Sequence, residues 1–465
     1  MSIIRKLWAW FDDRTGTMEL VGPLLNHLVP PGTSWWYVFG SATLFAFIVQ
    51  VVTGIALATM YVTSTGDAYQ SLNFITNDAF LGNILRGIHY WGASAMVLFV
   101  GIHLIRVFLT GSYKFPREMS WLTGAGLLLF TVAMGFTGQL LRWDQNAVWT
   151  VVVGAAQAGR APVVGQFLAQ FILAGDVVGG ATLSRFFSFH VFFIPAMIFA
   201  FVGLHLWMVV RNGISEPPII GHIVDPKTYR DWYSKLLERY GLPFWPDVAW
   251  RDVVFGCIVV GGIVALALIF GPPALGRPPD PSIIQAEPRP DWYLLWYFAV
   301  LALIPPVLEP WIIIGAPLLA AVAIVALPFI ANKGERHPLR RPWSMAIVIV
   351  VVMMVGTLWR EAVKAPWSPD FTAKPLTPAQ VGTSSGPIWE GSQLFYVKGC
   401  QYCHTIDGQG GHRGPDLTDV ADRLSSEQIT LRILNGGTNM PAFASTMNPS
   451  ALDLIVQFLS SRHGQ

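Results

Sequence analysis

Four histidines lie in apolar stretches at two nearly equal pitches: His89 and His103 are fourteen residues apart, His190 and His205 fifteen. Two glycine pairs, Gly40 with Gly54 and Gly124 with Gly138, repeat the fourteen-residue pitch. A helix rises about 1.5 Å per residue, so fourteen residues span about 21 Å and almost four whole turns, returning the second residue to nearly the same face. Fifteen residues overshoot by about 60°, which a tilted helix can absorb. Two such helices side by side present two imidazole pairs, one near each membrane surface. Glycines at the same pitch on two neighbouring helices remove the side chains that would strike a porphyrin edge. Ionisable residues are costly in hydrocarbon and usually mark function there. The pattern predicts two b haems stacked across a bilayer, with His89, His103, His190 and His205 as iron ligands and Gly40, Gly54, Gly124 and Gly138 beside the rings.

Composition agrees, because 53% hydrophobic and 12% charged residues exclude an ordinary soluble enzyme. Apolar stretches long enough to cross a bilayer fall at about 35–60, 87–110, 121–140, 187–211, 252–271, 309–331 and 343–359, which predicts seven spans. Trp35, Trp36, Tyr61, Tyr90 and Trp343 at their margins suit an interfacial belt. The first 34 residues carry Arg5, Lys6 and Arg14 without an apolar core and small-residue cleavage site, so they read as a surface amphipathic helix. The N-terminus and the loops after spans 2, 4 and 6 hold fourteen Lys and Arg against six in the alternate loops. The positive-inside rule then puts the N-terminus in the cytoplasm and everything after residue 360 outside.

Composition changes at that point. Residues 361–386 are rich in Pro, Ser, Thr and Ala, as in a semi-extended linker. A small domain, 387–465, opens with Cys400-Gln401-Tyr402-Cys403-His404, in which two thiols attach a haem covalently and His404 ligates its iron. Met440, within Asn439-Met440-Pro441, supplies a thioether for the second axial position, where methionine raises the potential. A zinc or redox CxxC competes with this reading, but His404, the Gly414–Leu417 turn and a closing apolar helix near 450–461 favour a c-type haem. Cys257, inside span 5, reads as a small buried hydrophobe.

These residues resemble a known family. Residues 1–215 look like the cytochrome b subunit of cytochrome bc1 and b6f complexes, closest to the b6 branch. The match rests on Val29-Pro30-Pro31, the two glycine pairs, Leu85–His89, Phe115–Glu118, Trp143–Gln145 and the fifteen-residue histidine spacing. Residues 216–360 resemble subunit IV of those complexes, with Pro290-Asp291-Trp292-Tyr293 where the family carries Pro-Glu-Trp-Tyr. The expected fold is all-α: a four-helix di-haem bundle, a three-helix subunit IV-like module and a small helical cytochrome c domain of class I. Val38 stands where the b6 branch commonly has a cysteine, which argues against a covalently attached third membrane haem.

The resemblance also implies roles. Spans 2 and 4 run from outside to inside, pairing His89 with His190 at an outer haem and His103 with His205 at an inner one. Arg86 and Arg117 are implied partners of haem propionates; anchoring of helix ends is their structural alternative. Asp291, with Tyr293 beside it, inherits the family's proton acceptor for quinol oxidation, a role that suits a carboxylate in an apolar pocket. A Pro-Asp loop-to-helix entry is the structural alternative. The implied reaction is bifurcated: quinol is oxidised at the outer face, one electron passing to a separate Rieske iron–sulfur protein and the chain's own c haem, the other crossing to an inner quinone. The three cysteines leave no ligands for an iron–sulfur cluster. The shorter acid at 291 favours menaquinol as substrate, and a c-type cytochrome or equivalent is the expected acceptor. A homodimer within a larger complex of the bacterial cytoplasmic membrane is implied, and no nucleic-acid partner. A di-haem membrane anchor linking a dehydrogenase or oxidase to the quinone pool is the alternative.

Overall fold

The computed structural model describes residues 3–280, 288–305, 307–365, 368–436, 440, 443–444 and 447–464. The fold is all-α, with three two-stranded sheets of two residues per strand as its only β-structure among the described residues. Seven helices are long and apolar enough to cross a membrane: Phe39–Ala58, Gly82–Leu109, Glu118–Leu140, Gly180–Asn212, Phe244–Phe270, Glu309–Ile330 and Pro342–Lys364. They are called spans 1 to 7. Each coincides with an apolar stretch of the sequence. Spans 2 and 4 begin earlier than hydropathy alone predicts, because their first turns carry Asn83, Arg86 and Arg185, which an apolar window rejects but a helix tolerates. Outward faces carry Val52, Ile55, Leu129, Ile269 and Leu319, a side-chain choice that lipid satisfies and water does not. Cys257 belongs with these; it is exposed on span 5 and not buried as the sequence suggested.

The chain forms two compact units, Met1–Ser282 with Pro288–Leu294 and Pro310–Gly356, and a second comprising Leu295–Glu309 and Thr357–Gln465 with a short piece of the preceding loop. In the first unit, the amphipathic N-terminus is two helices, Ile3–Thr15 and Thr17–Asn26, divided at Gly16, whose φ of 60° is left-handed and costs glycine little. Exposed Ile3, Ile4, Leu7, Trp8 and Phe11 give the first helix an apolar face for an interface.

A buried polar network ties the first four spans to the later ones. Glu216, after span 4, pairs with Arg336, between spans 6 and 7, and accepts from the Tyr229 hydroxyl at 2.6 Å. Arg336 also donates to the Glu216 carbonyl at 2.8 Å and to the Thr110 carbonyl at 3.2 Å. Both side chains are almost completely buried, so each charge depends on the other for its solvation.

In the second unit, helices Pro387–Val397, Ser426–Asn435 and Pro449–Ser460 enclose Phe395, Ile406, Ile429, Ile455 and Phe458. Gly391 lets the first of these helices cross the last: a Cβ there would stand 2.1 Å from the Leu454 carbonyl oxygen. The expected linker 361–386 is only partly free. Span 7 continues to Lys364, Leu376 and Val381 enter the small domain's core, and Gln401 donates to the Lys374 carbonyl at 2.7 Å. Proline and threonine here form a packed strap rather than a spacer, because its apolar residues find a core to enter.

Removing one half of the Glu216–Arg336 pair leaves the other charge buried. Arg336→Leu is expected to destabilise the protein by about 3–5 kcal/mol, and Arg336→Leu with Glu216→Leu to recover most of that loss. Thermal unfolding in detergent measures both; additive losses in the double variant would show that the two groups are not coupled.

Candidate functional site

The fourteen-residue glycine pitch serves a direct contact. Gly40 on span 1 faces His103 on span 2, where a Cβ would lie 3.1 Å from the imidazole Cε1, and Gly54 faces His89 at 3.2 Å. On spans 3 and 4, Gly124 faces His205 at 3.4 Å and Gly138 faces His190 at 2.6 Å. Each histidine thus lies over a backbone position in its neighbour that carries no side chain.

The fifteen-residue spacing on span 4 is resolved locally. Phe189–Phe193, containing His190, is a π-helical segment between α-helices Gly180–Ser188 and Ile194–Asn212. A π turn takes in one extra residue, so His190 and His205 return to one face without the tilt expected from the sequence.

The imidazoles are presented as ligands. The His89 and His190 ring centres are 6.2 Å apart with planes at 77°. Metal–imidazole bonds of about 2.0 Å place two rings on one metal with centres roughly 6 Å apart, so this separation fits one iron between them. His103 and His205 lie within electrostatic reach of each other. Thr53, Thr123 and Thr137 meet Nδ1 of His89, His205 and His190 at 2.9, 2.9 and 3.1 Å. Engaging Nδ1 leaves Nε2 as the metal-binding nitrogen. The residues therefore fit two bis-histidine haems.

Three arginines border these pairs. Arg86, one turn before His89, donates to the Thr76 hydroxyl at 3.2 Å and the Pro273 carbonyl at 2.8 Å. Arg117 donates to the Gly213 carbonyl at 2.9 Å and the Tyr229 hydroxyl at 2.8 Å, with its guanidinium against the Tyr229 and Tyr233 rings. Arg106 was missed by the sequence reading. It is buried, its guanidinium lies 3.8 Å from the Tyr37 ring centre, and its Nε and Nη2 have no hydrogen-bond partner among the described residues. Its signal was a mirror: Arg86 stands three residues before His89, and Arg106 three after His103.

Asp291 and Tyr293 come to the same end of the bundle as His89 and His190. The Tyr293 hydroxyl donates to the Asp291 carboxylate at 3.2 Å and occupies space that Gly135 leaves open, since a Cβ there would stand 2.1 Å from the phenolic oxygen. Gly135 is one turn before Gly138, the glycine under His190. Trp292 donates to the Ser94 hydroxyl of span 2 at 3.2 Å, and Gln139 of span 3 to the Arg289 carbonyl at 3.0 Å. Burial pushes the Asp291 carboxyl above its usual range, against the lowering effects of the Tyr293 hydrogen bond and Arg142.

In the small domain, His404 Nδ1 bonds to the Pro415 carbonyl at 2.9 Å, leaving Nε2 for a metal. A Cβ at Gly414 would stand 2.4 Å from the ring, and burial holds His404 below its ordinary pKa, in the neutral form that ligates. Cys400 and Cys403 are free, partly buried thiols, as attachment to a haem requires. Met440 packs partly buried against the core, and Met447 is buried within it. Asn439 and Pro441, on either side of Met440, lie outside the described residues.

Residues 24–213 match the family model described as Cytochrome b/b6/petB. Cytochrome b6 of Synechococcus sp. (strain JA-3-3Ab) is 40% identical over 212 residues, 46% of this chain and 99% of that relative. The chain belongs to the cytochrome b/b6 family. Cytochrome b6 of Prochlorococcus marinus (strain NATL1A) is 36% identical over 211 residues, 45% of this chain and 97% of the relative. Residues 389–459 match a second model, Cytochrome C oxidase, cbb3-type, subunit III. The solved structure named Hyperthermophilic respiratory Complex III superposes with a TM-score of 0.64 at 25% identity, over 80% of this chain and 92% of that one. The polypeptide is a b6-like cytochrome b fused to a cytochrome c domain, a multi-pass membrane subunit for quinol-linked electron transfer.

The glycine contacts differ enough to rank substitutions in this cytochrome b. Gly138→Ala is expected to displace His190 and lower b-haem content, because its Cβ would lie 2.6 Å from the ring, whereas Gly124→Ala, at 3.4 Å, meets ordinary van der Waals contact. Haem per protein in purified membranes reads the difference; equal content in both variants would show that the Cβ–ring distance does not govern haem binding.

Proposed function

We propose that this chain is the quinol-oxidising subunit of a bifurcating complex in the bacterial cytoplasmic membrane, with the N-terminus cytoplasmic and the cytochrome c domain outside. Quinol is oxidised at the outer face; one electron leaves through a separate Rieske protein toward the cytochrome c domain, and the other crosses to a quinone near the inner face. Residues 216–360 act as the subunit IV-like module, and a homodimer is the working assembly. The observation that carries this reading is the Asp291–Tyr293 pair, placed over Gly135 beside the Gly138–His190 contact. A di-haem anchor has no need of a buried carboxylate there.

His89 with His190 would hold the outer b haem, His103 with His205 the inner one, and Cys400, Cys403, His404 and Met440 the c haem. Bound there, the three haems supply one-electron carriers. Arg86 suits a propionate at the outer haem's edge. At the inner edge Arg106, with two unengaged nitrogens, suits a propionate better than Arg117, whose donors serve the Gly213 and Tyr229 oxygens.

The chain's own residues manage the proton. Asp291 accepts it from the quinol hydroxyl, Tyr293 fixes the carboxylate's orientation, and burial raises its proton affinity so that the transfer is closer to balanced at working pH. As a base, Asp291 acts deprotonated, so activity rises as pH passes upward through its raised pKa. Its short side chain favours menaquinol, and a c-type cytochrome or equivalent receives the electron.

Asp291→Asn is expected to slow quinol oxidation by about 10²–10⁴-fold with all haems bound, while Asp291→Glu retains much of the rate. Tyr293→Phe removes a bond that lowers the Asp291 pKa, so it should move the acidic limb of the rate profile to higher pH. Steady-state rates against pH measure both, and an undiminished Asp291→Asn rate returns the motif to a plain loop-to-helix turn. In the cytochrome c domain, Met440→Ala should keep the covalently held haem but lower its potential. An unchanged potential in redox titration reassigns the axial thioether, with buried Met447 the next candidate.

A further inference from the structure

The four glycine–histidine contacts are not equivalent. Threonine precedes the glycine in three of them: Thr53 before Gly54, Thr123 before Gly124 and Thr137 before Gly138. Each hydroxyl meets Nδ1 of the histidine its glycine faces. Each also donates back along its own helix, to the carbonyls of Val49 at 2.6 Å, Met119 at 3.0 Å and Ala133 at 2.9 Å. A hydroxyl has one proton, and with that proton committed its oxygen accepts from Nδ1–H, a proton that His190 and His205 share with the Met134 and Ser120 carbonyls. The result is a relay from imidazole N–H through hydroxyl to peptide carbonyl.

The fourth contact lacks the relay. Phe39 precedes Gly40, and its ring packs on Phe99 and Phe255 with centres 6.3 and 5.7 Å away. Among the described residues no hydroxyl bonds to His103. The His89/His190 pair therefore carries two relays and the His103/His205 pair one.

Resting on the haem assignment above, we propose that Thr53 and Thr137 are positioning residues that hold the reduction potential of the outer haem below that of the inner haem, where Thr123 acts alone. An acceptor on Nδ1–H draws its proton and makes Nε2 a stronger donor to iron. Chained hydrogen bonds polarise one another in a low-dielectric site, which strengthens the effect. Stronger donation stabilises the oxidised, more positive iron and lowers the potential. Two relays on the quinol-oxidising side and one on the far side make the transmembrane electron step downhill. Phe39, apolar where its three counterparts are hydroxylic, is as much part of this slope as the threonines.

The test is a potentiometric titration of the b-haem bands in membranes holding the full chain. Thr53→Val and Thr137→Val each delete one hydroxyl at nearly constant shape. Each should raise the same, lower-potential component by about tenfold in its reduction equilibrium, or 59 mV for one electron. Thr123→Val should raise the other component, and Thr53→Ser should hold the native value. Thr131→Val is the control: among the described residues the Thr131 hydroxyl bonds only the Leu127 carbonyl of its own helix, at 2.8 Å, and neither component should move. If Thr53→Val costs the haem, Thr53→Ala provides a second deletion. Potentials unmoved with haem bound, or moved equally by Thr131→Val, overturn the relay. Thr53→Val and Thr137→Val moving different components overturns instead the pairing of His89 with His190, on which the proposal rests.

Discussion

The contact between a histidine ring and a glycine backbone on the next helix is the constraint from which the rest of this structure follows. A flat ring cannot enter a four-helix bundle packed by ordinary side chains, because interiors have few voids larger than a water molecule. Gly40, Gly54, Gly124 and Gly138 each leave space beside one imidazole, and that space repeats at two levels of the bundle. The pitch of the helix then sets the distance between the levels at about 21 Å. Everything placed around them, from the threonines on Nδ1 to the loop that carries Asp291, takes its position from one level or the other.

That arrangement separates two kinds of transfer. Electrons need closely spaced carriers in a dry interior, which the apolar faces of spans 1 to 4 provide. Protons need a group that changes charge within hydrogen-bond reach of substrate, and on the proposed reading that group is Asp291, in a loop outside the spans. Asp291 is buried enough for its proton affinity to rise yet stands on a segment held by Trp292 to Ser94 and by the Arg289 carbonyl to Gln139. The loop is thus fixed to spans 2 and 3, the spans that carry His89 and Gly138.

Much of this was legible in the sequence, because hydropathy and integral helical pitch are one-dimensional signals. The seven spans, and the four histidines that the structure sets against four glycines, could be read from hydropathy and spacing. The fifteen-residue interval could be noticed but not explained, since whether a helix absorbs an extra residue by tilt or by a π turn depends on its neighbours. The linker was misjudged for a related reason: Leu376 and Val381 are two apolar residues in a Pro- and Thr-rich stretch, and only the presence of a nearby core turns them inward. Arg106 was overlooked because one arginine at a helix end looks like an interfacial anchor; burial and unengaged nitrogens distinguish it. The Asp291 motif was recognised by resemblance, and its neighbour Gly135 had no sequence signal at all.

The most direct test of bifurcation is the response of the b haems to an oxidant in the assembled complex, with quinol present and electron exit at the inner quinone blocked. If the two electrons of quinol take separate paths, oxidising the Rieske and cytochrome c branch draws the first electron away and forces the second inward. Rapid mixing with ferricyanide should then reduce the b haems transiently. Net oxidation of the b haems under the same conditions would contradict the account and place the chain among linear carriers between quinone and its acceptor.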